Sequence, residues 1–194
     1  MRKVADPIEF FGRWFEEAKA SEPKLADACC LATADADGRP SARYVLLKGF
    51  GDDGFDFYTN YDSPKAHDLD ANPRACLAFH WKSLDRQLRV DGPVARMSAE
   101  DSDAYFASRD RVSRIGAWAS LQSKPMEGRF EFEQRIARYT ARYAVGAIPR
   151  PEGWGGYRLR PERVEFWEDR KFRLHVRHVY TRTPGGWDFV ELYP

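Results

Sequence analysis

Cysteine is scarce in this chain, with three residues among 194. Cys29, Cys30 and Cys76 form neither a zinc-ligand nor a thioredoxin spacing, and are read as buried free thiols. His67, His80, His175 and His178 show no H-E-x-x-H pattern, so no metal site is expected. No G-x-S-x-G elbow or cysteine-nucleophile context occurs, which leaves hydrolytic chemistry without support. A surplus of charge is also missing. Lys+Arg 31 against Asp+Glu 30 leaves +1, which argues against bulk binding to nucleic acid or an anionic membrane. No apolar run approaches the ~20 residues of a membrane span, and no charged-then-apolar leader is read. A soluble, reduced, cytoplasmic protein is the expectation.

Aromatic residues, by contrast, are plentiful: 14% of the chain, six of them Trp. That suits a large core or a site that stacks on a planar ligand. One domain over 1–194 is expected. It divides into an N-terminal helix within 1–22, barrel strands over 28–97, a helical segment over 98–145 and closing strands over 155–194. Asp6-Pro7-x-Glu9 is a helix start, followed by Phe11, Trp14, Phe15 and Ala18 at helical spacing. ACCLATA (28–34), the turn DADG and SARYVLLK (41–48) read as a hairpin, and FDFYTN (55–60) as a further strand. Ser63-Pro64 opens a short helix that stops at Asn72-Pro73. Strands follow at 74–81 and 86–97, then helices from Ser98 to Ser108, over 111–123 and over 126–144. Strand-like runs near 157–160, 163–167, 172–182 and 187–193 close the chain. Few crossover helices separate consecutive strands. The order therefore predicts an α+β class, an antiparallel split β-barrel with helices packed at its side.

GFGDDG (49–54) matches G-x-G-x-x-G only in letters. A strand rather than a helix follows, and Asp52 and Asp53 would repel phosphate, so it is a turn. The positive signal is cationic. Arg43 and Lys48 flank YVLL, and Lys65 sits in the first turn of the helix opened by Ser63-Pro64, where backbone donors also face an anion. Tyr105 and Arg109 stand at i, i+4 on one helix face, with Ser113 beyond. In FRLHVRHVY (172–180), strand alternation puts Arg173, His175 and Arg177 on one face. That spacing suits an anion clamp and equally an ordinary solvated strand.

Seven motifs occur together and in order: RYVLLK (43–48), FYTN (57–60), SPKA (63–66), SRDRVSRIGAWASLQS (108–123), PRPEGWGG (149–156), EFW (165–167) and RLHVR (173–177). Jointly they resemble the pyridoxamine/pyridoxine 5′-phosphate oxidase family, from Asp6 to Pro194. The resemblance implies an FMN-dependent split barrel that works as a homodimer with the flavin at the subunit interface. By that resemblance Arg43, Lys65 and Ser123 hold the FMN phosphate. Tyr58, Thr59, Gln87, Gln122, Trp167 and Arg177 line the rest of the cofactor. Lys48, Tyr105, Arg109 and Ser113 take the substrate phosphate, with Lys48 also counted among the cofactor residues. Arg173 and His175 are the implied catalytic pair, set over the substrate's pyridine ring. The implied reaction oxidises pyridoxine or pyridoxamine 5′-phosphate to pyridoxal 5′-phosphate, with dioxygen as acceptor and hydrogen peroxide as product.

Three positions depart from the family pattern. Pro64 replaces a basic residue, Val176 an acidic one that could orient Arg177, and Glu191 an arginine. The chain also starts almost at its first helix, without the basic arm of some members. Two alternatives stay open: a flavin oxidase of another planar substrate such as a phenazine precursor, and a non-catalytic flavin or pyridoxal-phosphate binding module.

Overall fold

The structure is a computed structural model that describes residues 4–194, so the first three residues of the expected N-terminal segment lie outside it. Backbone contacts divide the chain into two compact units. The first comprises residues up to Phe57, Asp68–Ala95 and Arg158–Pro194; the second comprises Tyr58–His67 and Arg96–Tyr157.

The first unit opens with helix α1 (Pro7–Ser21). Asp6 caps it by accepting a hydrogen bond from the Ile8 amide at 2.8 Å, and Pro7 supplies the preset first turn. Its buried stripe is Phe10, Phe11, Trp14, Phe15 and Ala18. The strands are β1 (Ala28–Ala34), β2 (Pro40–Leu46), β3 (Gly49–Gly51), β4 (Gly54–Asn60), β5 (Arg74–Trp81), β6 (Arg86–Arg96), β7 (Trp154–Leu159), β8 (Arg163–Glu168), β9 (Val176–Thr183) and β10 (Gly186–Leu192). Strands β4 and β7 begin or end in the second unit, as does helix α2 (Pro64–Ala71). The sheet order is β10-β9-β8-β6-β5-β1-β2, with β3, β4 and β7 branching from β6. Every pairing whose register is described is antiparallel.

One face of β6, β8 and β9 is apolar: Leu88, Val90, Val164, Phe166 and Tyr180 are buried there. Helix α1 covers part of it, with Phe10 stacked on Phe166 at 4.2 Å and Trp14 edge-on to the same ring at 5.1 Å. Each such ring contributes roughly 1.5–3 kcal/mol by leaving water. GFGDDG is a hairpin turn, with Phe50 opposite Phe55. Gly54 is required there: its φ is 138°, and a Cβ would lie 2.4 Å from the Leu159 carbonyl oxygen.

The second unit holds helices α3 (Ala99–Ser108), α4 (Arg111–Ala119) and α5 (Glu131–Arg142). Phe106, Ile115, Ile148 and Trp154 form its core. Helices α4 and α5 meet through Trp118 and Tyr139, 5.6 Å apart, and Arg135 Nε donates to the Ala119 carbonyl at 2.5 Å.

Several expectations need correction. The run 172–182 is not one strand. A 3-10 turn occupies Lys171–Arg173, with Phe172 and Arg173 both left-handed (φ 60° and 62°), and β9 starts only at Val176. Strand alternation therefore does not govern Arg173 or His175. Helix α3 ends at Ser108, and Arg109 is an extended capping residue, so Tyr105 and Arg109 are not an i, i+4 helical pair. Helix α4 stops at Ala119, and α5 is shorter than 126–144 because Gly128 and Phe130 lie in the turn before it. Of the thiols only Cys29 is buried outright; Cys30 and Cys76 are half-buried. Burial pushes Cys29 and Cys76 up to about 12, which makes them poor nucleophiles.

Candidate active site

Antiparallel register assembles the first cluster. Gln87 on β6 lies opposite Trp167 on β8, and Trp167 lies opposite Arg177 on β9. This row stands on the sheet face opposite the apolar one, because side chains alternate. One step along, Arg89 faces Glu165; one step further, Asp91 faces Arg163. Gln87, Trp167, Arg177, Arg89, Glu165 and Pro194 line a groove of about 280 Å³. Arg177 donates to Glu165 Oε1 from Nε (2.9 Å) and Nη2 (2.7 Å), and from Nη1 to the Tyr193 carbonyl (3.2 Å). The orienting carboxylate missing at Val176 is thus supplied by the neighbouring strand. Burial pushes the Glu165 carboxyl up, but hydrogen bonds from Arg163, Arg89 and Arg177 outweigh it and hold the group at about 2.

His175 rests on Trp167, with ring centroids 4.6 Å apart. Its Nδ1 lies 2.9 Å from Asp169 Oδ1 and 3.3 Å from the Arg170 amide nitrogen. These contacts ask for opposite protonation of Nδ1. The shorter one, to an anion, prevails, so Nδ1–H donates to Asp169. Arg173, in the left-handed turn, is exposed.

Arg43 donates to Thr33 Oγ1 at 2.6 Å and to Ser41 Oγ, and lies 3.5 Å from Asp68. Burial lowers its pKa while Asp68 works against that. Lys48 is exposed and paired with Asp27 at 2.7 Å. The Glu191 carboxylate, opposite His178 in register, sits 3.7 Å from its Nε2.

The second unit gathers two further groups. Lys65, 8% exposed, donates from Nζ to Thr59 Oγ1 at 3.2 Å. The Gln122 Oε1 accepts from Thr59 Oγ1 (3.1 Å) and from the Asn60 amide (3.2 Å). With its oxygen so engaged, Gln122 keeps its NH2 as a donor. Ser123, next in sequence, has φ 68°, an uncommon backbone for serine. The other group is aromatic. Tyr58 stacks on Tyr105 at 3.8 Å and 17°, and Trp154 lies nearly parallel to both. The Arg109 guanidinium sits 4.8 Å from the Trp154 ring, and its Nη1 is buried with no hydrogen-bond partner. Burial lowers the Arg109 pKa, with Tyr105 and Asp110 acting against that. The Ser113 hydroxyl instead donates to Asp110, at 2.6 Å, within the cap of α4. Among the described residues no His/Cys/Asp/Glu group is arranged to hold a metal.

Thus Gln87, Trp167 and Arg177 converge, as do Thr59, Lys65 and Gln122, and Tyr58, Tyr105 and Arg109. The carboxylates Glu165, Asp169, Asp68 and Asp27, which hold Arg177, His175, Arg43 and Lys48, are absent from the sequence-based set. For Glu165 a signal exists: it stands two residues before Trp167, on the same strand face.

A family model described as pyridoxamine 5′-phosphate oxidase matches residues 15–143. The chain belongs to the pyridoxamine 5′-phosphate oxidase family. A second model, the pyridoxine 5′-phosphate oxidase C-terminal dimerisation region, matches 154–194. Pyridoxine/pyridoxamine 5′-phosphate oxidase of Rhodospirillum rubrum is 56% identical over 194 residues, covering 97% of this chain and 96% of that protein. Among solved structures, PhzG of Burkholderia lata 383, in complex with tetrahydrophenazine-1-carboxylic acid, superposes with a TM-score of 0.93. It is 30% identical, covering 98% of this chain and 94% of its own. A pyridoxamine 5′-phosphate oxidase-related, FMN binding protein of Nostoc punctiforme has a TM-score of 0.78 at 19% identity, with both chains fully covered. The expected fold, an α+β antiparallel split barrel with helices at its side, is that of this family. No helix among the described residues is long and apolar enough to cross a membrane.

Proposed function

We propose that the protein is an FMN-dependent oxidase that converts pyridoxine or pyridoxamine 5′-phosphate to pyridoxal 5′-phosphate. The observation that carries this reading is the row Gln87, Trp167 and Arg177 along one groove: three strands bring together three residues that the family resemblance assigns to the flavin. When bound, FMN would supply the acceptor for the substrate's hydride, with dioxygen as the final oxidant and hydrogen peroxide as the product.

The chain's own residues fit that cofactor. A planar indole, an amide and a guanidinium suit a polar heteroaromatic ring, and the NH2 of Gln122, whose oxygen is already engaged, suits a carbonyl acceptor. Arg43, Lys65 and Ser123 are assigned to the cofactor phosphate, and Tyr58 and Thr59 to its ribityl chain and ring. Arg109 supports a phosphorylated substrate. A buried guanidinium nitrogen without a partner is costly unless an anion meets it. Tyr105, Ser113 and Lys48 complete that assignment. His175, held on Trp167 and by Asp169, is assigned together with Arg173 to the substrate ring. The family's C-terminal dimerisation region, which matches 154–194, supports a homodimer, and three free thiols fit a cytoplasmic setting.

A second reading, oxidation of a phenazine precursor, is favoured by the PhzG superposition. It has no use for the unpartnered Arg109. The purified protein, followed by visible spectrum and peroxide release with pyridoxine and pyridoxamine 5′-phosphates, decides the matter. A yellow protein turning over either phosphate is expected. A colourless protein that FMN does not reconstitute overturns the reading, and a yellow one inert to both phosphates transfers it to the second.

A further inference from the structure

We infer that Glu165 is the positioning residue for Arg177, through which the protein sets the reduction potential of its flavin. This rests on the reading that Arg177 faces the flavin. The two oxygens of Glu165 divide their work. Oε2 accepts from Arg163 Nη2 at 2.7 Å and from Arg89 Nη2; Oε1 accepts, among the described residues, from Arg177 alone, at Nε and Nη2. Arg163 is held in turn by Asp91 at 3.2 Å. With one oxygen claimed by two cations, the carboxylate cannot rotate away, so its other oxygen presents a fixed acceptor to Arg177. Fixing two of the three guanidinium nitrogens fixes the plane of the third. The remaining hold on Nη1 is the 3.2 Å contact with the Tyr193 carbonyl, a weaker and neutral acceptor. Glu165 is 4% exposed, and a carboxylate buried to that degree for stability alone gains little over an apolar side chain. Its arrangement is that of a part that aims a neighbour.

The sign of one measurement separates positioning from a plain charge effect. A cation held at the flavin favours the reduced, anionic ring and raises its potential. Glu165→Gln deletes a negative charge. If Glu165 acted only through its field, the variant's potential would rise. If it acts by holding Arg177, the potential falls, and FMN binds about tenfold more weakly because the guanidinium no longer has a fixed place. The experiment titrates apoprotein with FMN by flavin fluorescence and measures the bound flavin's potential. It compares wild type, Glu165→Gln, Arg177→Gln and the double variant. A lowered potential in Glu165→Gln, with no further drop when Arg177→Gln is already present, is expected. An unchanged or raised potential overturns the inference, as does an equal drop in the Arg177→Gln background. Glu165→Asp, which keeps the charge and withdraws it by one methylene, is the second variant should Glu165→Gln not fold. The same fall, smaller, is expected, and a wild-type potential overturns the inference. Failure of the wild-type protein to bind FMN is a different result, and it removes the functional reading first.

Discussion

His175 and Asp169 form a pair in which the imidazole Nδ1 lies 2.9 Å from Oδ1, while the ring rests on Trp167. The pair lies in the segment between β8 and β9, and Asp169 is itself anchored by its amide, which donates to the Asp85 carbonyl at 2.9 Å. A carboxylate on Nδ1 fixes both the tautomer and the ring plane. Replacing Asp169 with Ala should therefore lower kcat about tenfold, the worth of one charge-assisted bond, while FMN affinity stays unchanged. Steady-state peroxide release alongside flavin titration reads the two separately. Equal loss of flavin would assign Asp169 to cofactor binding instead.

Arg109 offers a sharper test of substrate class. Its Nη1 is buried and unpartnered, and the guanidinium packs on Trp154. Arg109→Met keeps the stem against the ring and removes the charge. With pyridoxine 5′-phosphate, kcat/KM should fall by about 10- to 100-fold, as loss of a charge-assisted contact to phosphate requires. The change should fall on KM, and with unphosphorylated pyridoxine the variant and wild type should perform alike. Equal damage with both substrates would remove the phosphate assignment.

Where a property is local, it is legible in the sequence. Asp6-Pro7-x-Glu9 announces α1, DADG the β1–β2 turn, and the joint motifs the family. Two kinds of feature are not local. Cross-strand partners depend on register, so the absence of an acid at Val176 looks like a loss until β8 is laid beside β9 and Glu165 meets Arg177. Helix ends depend on packing, so the spacing of Tyr105 and Arg109 reads as helical although the chain turns extended at Arg109. The left-handed pair Phe172 and Arg173 carries no glycine or asparagine to mark it, and the strand pattern runs straight through it.

That pair predicts a stabilising substitution. Phe172 has φ 60° and is 90% exposed, so its ring gains little burial to offset a backbone conformation that costs roughly 1–2 kcal/mol for a residue with a Cβ. Asparagine tolerates that region better. Phe172→Asn should raise stability by about 1 kcal/mol in urea unfolding of the protein. A loss of stability would mean that Phe172 makes its contribution by burial in the assembled oligomer, which the same experiment run at several protein concentrations would expose.

The acid limb of stability should carry the signature of Glu165. Its folded-state pKa is about 2 against an ordinary 4.5, so the group binds its proton less readily in the folded protein than in the unfolded chain. A depressed carboxylate contributes stability that is complete above about pH 4.5 and is lost as pH falls through about 2. The full contribution is at most about 3 kcal/mol, and about 2 kcal/mol of it should be gone by pH 3. Glutamine cannot titrate, so the stability gap between wild type and Glu165→Gln should shrink over that window and stay constant from pH 5 to 7. Urea midpoints measured at pH 7, 5, 4 and 3 test this. A gap that does not narrow below pH 4.5 would mean that the three guanidiniums do not hold the carboxylate in its charged form in solution.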